Sequence, residues 1–385
     1  MAVKLFFSPT EYMQRINALK ADAAARGVDA VLVTGPENIT YLTGYQTPGY
    51  HIFQCLIVPV AGEVSFVVRN NETTNIPSID GIGRAFPIGV ANLSDPAPVL
   101  VEAIRTLGLA GAALGYDGRS LFFPPAVYTT VRVDLPGVRF SDVAGIVEAR
   151  RMRKSHAEIE LIRQGVAMAE DALRAGVAAL AGAATDSDVA AAVLASLSEA
   201  GSEYTGSPAY IVPGVHALQT HTTHARRPIV DGEPLRMEIC ASVGRYHGAV
   251  TRTAVRGPVS GAVADAMAVA AAACDAMIDA AVPGTPLGEV DRAGRSIVED
   301  AYDAEYWPNR GAYSMGISYP PGLGEGDVLD IRPGDTRVTE EGMVFHLLPN
   351  LRVPGVGSIG CTETFAVTAA GGVTMSTLPR VVLQP

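Results

Sequence analysis

The chain has 385 residues, with 40 Asp and Glu against 29 Lys and Arg, a net charge of −11, and 48% hydrophobic against 18% charged residues. This length suggests roughly two or three domain-sized units and a core that needs no covalent staples, and the apolar content excludes an intrinsically disordered chain. An acidic balance without a long Lys/Arg run argues against a nucleic-acid partner.

Met1 to Thr10 lacks the charged-then-apolar pattern of a signal peptide, so a cytoplasmic protein is expected. Glu11 to Arg26 places Met13, Ile16 and Leu19 on one helical face and stops at Gly27. Asp29 to Val33 reads as a short buried strand, and Gln54 to Val60 and Val64 to Arg69 as two more around Ala61-Gly62. Gly108 to Gly115 and Val138 to Phe140 add strand-like runs. An α/β N-terminal domain over residues 1–147 is therefore expected. From residue 148 the character changes. Ser155-His-Ala-Glu158 is a capping box opening a long helix to about Ala181, and Thr185-Asp-Ser-Asp188 opens another that Gly201 closes. Ala262 to Val282 is apolar enough to invite a membrane span, but Asp265, Asp275 and Asp279 interrupt it, so it reads as a buried helix. A further helix spans about Leu287 to Ala304. Strand-like stretches at Leu235 to Ser242, Gly248 to Val255, Met343 to Leu348 and Thr364 to Val367 make residues 148–385 an α+β domain. Cys55, Cys240, Cys274 and Cys361 form no C-x-x-C pair and read as reduced thiols.

Three of the seven histidines, His216, His221 and His224, fall within nine residues ahead of the Leu235 strand, while His247 and His346 follow later. Glu238, between Met237 and Ile239, and Glu363 are carboxylates on apolar strands. A buried unpaired carboxylate is expensive, so each needs a partner or a purpose. The alternative for either is a buried ion pair with Arg252 or another arginine.

Glu148-Ala-Arg-Arg-Met-Arg-Lys-Ser-His-Ala-Glu-Ile-Glu160, Arg245-Tyr-His-Gly-Ala-Val-Thr-Arg-Thr253, Glu341-Gly-Met-Val-Phe345 and Asn38-Ile-Thr-Tyr-Leu-Thr-Gly44 together resemble the creatinase/aminopeptidase P/prolidase superfamily over nearly the whole chain. The resemblance implies a creatinase-type N-terminal domain followed by a pita-bread catalytic domain. Metal-dependent members hold two divalent ions with two Asp, one His and two Glu. Here those positions carry Glu238, Ala249, Ser314, Leu348 and either Thr362 or Glu363. Two carboxylates without a bridging ligand do not cage two such ions, so no metal and no cofactor are expected.

The chain is also similar to ectoine hydrolases at Tyr313-Ser-Met-Gly-Ile-Ser-Tyr-Pro-Pro-Gly-Leu-Gly-Glu325, Arg332-Pro-Gly-Asp335, Phe345-His346, Arg245-Tyr-His247, Glu238-Ile239, Thr362-Glu363 and His221. It departs from them at Gly360 and in a shortened Pro213–His221 segment. The essential His of metal-free creatinase matches His221, but its guanidinium-binding Glu falls on Thr251.

The resemblance implies hydrolysis of a small C–N substrate, a cyclic amidine such as ectoine. His221, Glu238 and Glu363 are the catalytic set, and Tyr313, Ser314, His346, Arg252, Tyr246 and the N-terminal His51 lie on the substrate side. Arg226, Arg252 and Arg310 are candidates for a substrate carboxylate, and Gly311 to Gly324 a pocket wall. An amidinium carbon is already electrophilic, so an acid–base pair suffices. Other readings are a creatinase-like amidinohydrolase, a metal-dependent Xaa-Pro peptidase or a non-catalytic binding protein. By the same resemblance a homodimer is expected, with the N-terminal domain of one subunit closing the site of the other.

Overall fold

A computed structural model describes residues 3–385, so the first two positions of the Met1–Thr10 segment lie outside the described residues. The chain divides into two compact units, Met1–Arg151 and Met152–Pro385.

In the first unit, helix α1 (Pro9–Ala25) starts where Ser8 accepts a hydrogen bond from the Glu11 amide, and it buries Tyr12, Ile16, Leu19 and Ala23. There follow β1 (Ala30–Val33), α2 (Pro36–Thr43), β2 (Cys55–Pro59), β3 (Val64–Arg69), β4 (Ile82–Ile88), α3 (Ala97–Thr106), β5 (Ala113–Tyr116), α4 (Pro125–Asp134), β6 (Arg139–Asp142) and the short α5 (Glu148–Arg151). The six strands form one mixed sheet in the order β4-β3-β2-β1-β5-β6. Its central strands are apolar at every position because both faces are covered. The run expected as a strand from Gly108 begins only at Ala113. Gly108, at φ 72, instead ends α3 in the left-handed conformation that a glycine cap supplies.

The second unit opens with α6 (His156–Leu180), whose capping box pairs Ser155 and Glu158 reciprocally, and α7 (Asp186–Glu199), capped the same way by Thr185 and Asp188. Next come β7 (Tyr210–Pro213), β8 (Pro234–Val243), β9 (Tyr246–Val255), α8 (Gly261–Ala280) and α9 (Leu287–Ala301). The chain ends with β10 (Ala312–Ser314), β11 (Asp330–Ile331), β12 (Val344–Leu347), β13 (Asn350–Val353), β14 (Gly357–Gly360), β15 (Thr364–Thr368) and β16 (Gly371–Thr374).

Strands β7-β8-β9 make one sheet and β11-β10-β12-β15-β16 a second. They meet where Thr251 bridges Thr362 and where the His247 amide donates to the Gly316 carbonyl at 2.9 Å. Helices α6 and α7 cover the three-stranded sheet, and α8 and α9 cover the other. Helix α6 lies directly on β9: a Cβ at Gly248 would stand 2.2 Å from the Val166 amide nitrogen, so only glycine allows that approach. Among the described residues α8 alone has the length and composition of a membrane span. It buries Val263, Met267, Ala270, Cys274 and Met277 in the core of its own unit. All four cysteines are buried and free.

Candidate functional site

Strand β8 separates core from chemistry by its period of two. Leu235, Met237, Ile239 and Ala241 sit in the core beneath α6 and α7. Arg236 and Glu238 therefore share the opposite face, and both line a cavity of about 730 Å³. Tyr210 on β7 stands directly across from Glu238. It accepts a hydrogen bond from Ser207 Oγ at 2.8 Å, and its ring centroid is 6.1 Å from that of His221. His221 occupies an exposed loop with a left-handed backbone, φ 57, which is uncommon for a residue other than glycine. That turn brings it to the cavity rim.

The facing wall is built by Tyr313, by Pro321 to Gly324 and by Leu348, Asn350 and Arg352. Of the Gly-rich segment expected to form a wall, Tyr313 and Pro321 to Gly324 line the cavity, whereas Gly311 and Gly316 do not. Gly324, at φ 75, passes so close to Tyr313 that a Cβ would come within 2.7 Å of its ring. Arg310 lies 5.0 Å from the Tyr313 ring centroid, and Arg352 Nη2 donates to Thr220 Oγ1 at 2.9 Å. Burial, reinforced by the Glu238 carboxylate, pushes the Tyr313 phenol well above its ordinary value. Tyr210 is raised for the same two reasons, burial first, so both phenols keep their protons at neutral pH.

The structure thus brings His221, Glu238, Tyr313 and Arg310 into one cavity, and directs Glu363, Arg252, Arg226, Ser314, Tyr246, His346 and His51 elsewhere. Glu363 departs from its expected catalytic role. It is fully buried in ion pairs with Arg252 and with Arg380, the latter at 3.1 Å, and it accepts from Thr374 Oγ1 at 3.1 Å. Arg252, expected to meet substrate, spends its remaining donors on the carbonyls of Thr251, Thr362, Leu378 and Pro379. A buried guanidinium needs all its hydrogens satisfied, and these groups satisfy them. Arg226 is exposed and does not line the cavity; Arg310 does line it.

Ser314 alternates away from the cavity and receives a 2.7 Å hydrogen bond from Lys154, so Tyr313 is the β10 side chain at the site. Tyr246 is also diverted: its hydroxyl donates to Glu158 Oε1 at 2.7 Å and ties β9 to the start of α6. His346, directly across β10–β12 from Tyr313, lies buried with ring centroids 5.6 Å apart. Thr364 Oγ1 gives its proton to the Ala249 carbonyl, so it accepts from His346 Nδ1 at 3.1 Å, which leaves Nε2 as an acceptor with no partner. His51, in the first unit, is exposed, with Nδ1 3.4 Å from the Pro48 carbonyl.

Arg236 and Tyr210 are among the cavity residues that the sequence did not single out. Arg236 was within reach, because it shares the strand face of Glu238. Tyr210 was not, because its place depends on the β7–β8 pairing.

The positions at which the resemblance expects ion ligands do not fit a two-metal centre. Ala249 is apolar, Leu348 lines the cavity with an alkyl chain, and Thr362 is bonded through its hydroxyl to Thr251 at 2.8 Å. Among the described residues no three His, Cys, Asp or Glu side chains gather into a cation cage.

Comparison with known proteins places these features. The creatinase/prolidase N-terminal domain profile matches residues 15–153, and that of metallopeptidase family M24 matches residues 160–369. The ectoine hydrolase of Halomonas elongata is 27% identical over 98% of both chains. An uncharacterized hydrolase/peptidase of Sinorhizobium fredii is 28% identical, again over 98% of both. Among solved structures, a prolidase from Thermococcus sibiricus superposes with a TM-score of 0.86 at 19% identity, over 97% of this chain and 99% of its own. The dipeptidase PepE of Mycobacterium ulcerans gives 0.80 at 22%, over 98% and 99%. The pita-bread fold is shared throughout. With profiles covering both of its units, the chain belongs to metallopeptidase family M24, a family of hydrolases.

Proposed function

We propose that this protein hydrolyses a small cyclic amidine without a metal centre, using Glu238 and His221. One observation carries the reading. A carboxylate and a histidine line the same cavity, while the positions that would ligate ions hold Ala249, Leu348 and Thr362. The similarity to an ectoine hydrolase supports the choice of substrate.

Glu238 accepts hydrogen bonds from the amidinium N–H groups and takes the proton of a water that adds to the amidinium carbon. His221 then protonates one ring nitrogen of the tetrahedral adduct. The C–N bond to that nitrogen breaks, and an open-chain N-acylated diamine leaves. Tyr313 and Tyr210, both protonated, offer hydroxyls toward the developing charge. Creatine is a poor candidate, because Thr251 is buried and bonded to Thr362 where a guanidinium-binding carboxylate is required.

His221→Ala and Glu238→Gln should each lower kcat by at least about 10²-fold, the lower end for loss of an acid–base group. Near-wild-type turnover in both variants defeats the mechanism. A second reading, a binding protein without activity, gains from the same replaced positions and predicts tight ligand retention without product.

A further inference from the structure

Arg236 and Glu238 line one cavity from one face of one strand, two residues apart, so their backbone origins lie about 6–7 Å from each other. Their charges are opposite, yet they do not meet, and neither is neutralised by any other described residue. Arg236 Nε is shut off from solvent with no hydrogen-bond partner. The guanidinium lies 6.0 Å from the Tyr210 ring, a contact that leaves its in-plane donors free. The other two cavity guanidiniums are engaged: Arg310 is 3.6 Å from Asp330 and donates to the Gly326 carbonyl, and Arg352 donates to Thr220. Of the three, the Arg236 guanidinium alone has no hydrogen-bond or ion-pair partner among the described residues.

Half-buried charges without partners are costly, and a ligand that supplies both missing partners removes that cost at both ends. A purely cationic ligand would meet Glu238 but be repelled by Arg236. A purely anionic one would suffer the reverse. We infer that the substrate is a compact zwitterion, its carboxylate gripped by Arg236 and its cationic nitrogen end by Glu238. Arg236 then selects substrate and fixes the reacting carbon beside Glu238. This rests on the reading of the cavity as the site of amidine hydrolysis, and gives that amidine a ring carboxylate.

The test compares ectoine, creatine and a Xaa-Pro dipeptide with their carboxamides, in wild type, Arg236→Met and Arg236→Lys. Binding is followed by calorimetry, and KM and kcat are measured wherever turnover occurs. Circular dichroism checks that each variant is folded. Arg236→Met should weaken the preferred zwitterion at least about tenfold, the scale of a lost charge-assisted bidentate contact. KM should rise by a similar factor, kcat should fall as the reacting carbon loses its position beside Glu238, and the carboxamide's weak affinity should stay unchanged. Arg236→Lys should recover part of the loss. Equal effects on acid and amide, or a carboxamide bound as tightly as its acid, overturn the inference. Failure of every zwitterion to bind counts against it too. Failure of the amidine reading looks different: ectoine is neither bound nor opened, while another zwitterion binds in an Arg236-dependent way.

Discussion

Glu363 and Glu238 are both carboxylates on apolar strands, and their surroundings give them opposite fates. Glu363 is closed in by Arg252 and Arg380, so removing its charge leaves the Arg252 guanidinium buried without a counter-charge. Glu363→Gln should therefore cost about 3–5 kcal/mol of stability in chemical denaturation, with kcat close to wild type. Exchanging both partners, in Arg252→Met with Glu363→Leu, should return much of that loss. A large fall in kcat without loss of stability would restore Glu363 to the catalytic set.

Two buried histidines give a pH signature. Burial, then the Arg245 charge, lowers His247 to about 3, and burial, then Arg252, lowers His346 to about 3. The folded values lie below the ordinary 6.5, so the unfolded chain binds protons that the fold refuses. Their contribution is complete above about pH 6.5 and is lost as the pH falls toward 3, at up to about 1.4 kcal/mol per pH unit for each histidine. Urea midpoints between pH 7 and 4.5 should fall accordingly. His247→Gln and His346→Gln should each flatten the profile, and an unchanged slope in both would contradict the assignment.

The wall from Met315 to Gly326 is held from behind rather than by its own secondary structure. Lys154 Nζ bonds Ser314 Oγ at 2.7 Å and Glu325 Oε2 at 2.8 Å, with both charged ends almost fully buried. Glu325 Oε1 accepts the Ile317 amide at 3.0 Å, and Arg245 reaches the Ser318 carbonyl at 2.5 Å beneath Tyr319. Lys154→Met strands the Glu325 charge, so the wall should loosen together with a stability loss of about 3–5 kcal/mol. Hydrogen exchange should show faster amides over 315–326 while α6 stays protected; uniform exchange would mean that the pair does not serve this loop. The elements themselves were largely legible, because capping boxes at Ser155 and Thr185 and period-two apolar patterns are local signals. The sequence did not reveal which β10 residue faces the cavity. A one-residue difference swaps Ser314 for Tyr313, and only the pairing of β10 with β12 decides it.

Across the whole molecule, the superfamily resemblance anticipated the fold, because many ordered motifs agree along both units. It was less reliable for individual roles. Glu363, Arg252 and Tyr246 retain their motif positions as structural groups, a distinction set by contacts between strands far apart in sequence. Arg236 was overlooked because it belongs to none of those motifs.

The proposed function has a family M24 fold exchange ion chemistry for a Glu238–His221 pair acting on a cyclic amidine. Its most direct test is mass-spectrometric detection of product after incubating ectoine with EDTA-dialysed protein. An N-acetylated diaminobutyrate should form at the same rate before and after chelation and be lost in Glu238→Gln. No product under any condition, or product only after manganese or zinc is restored, would contradict it.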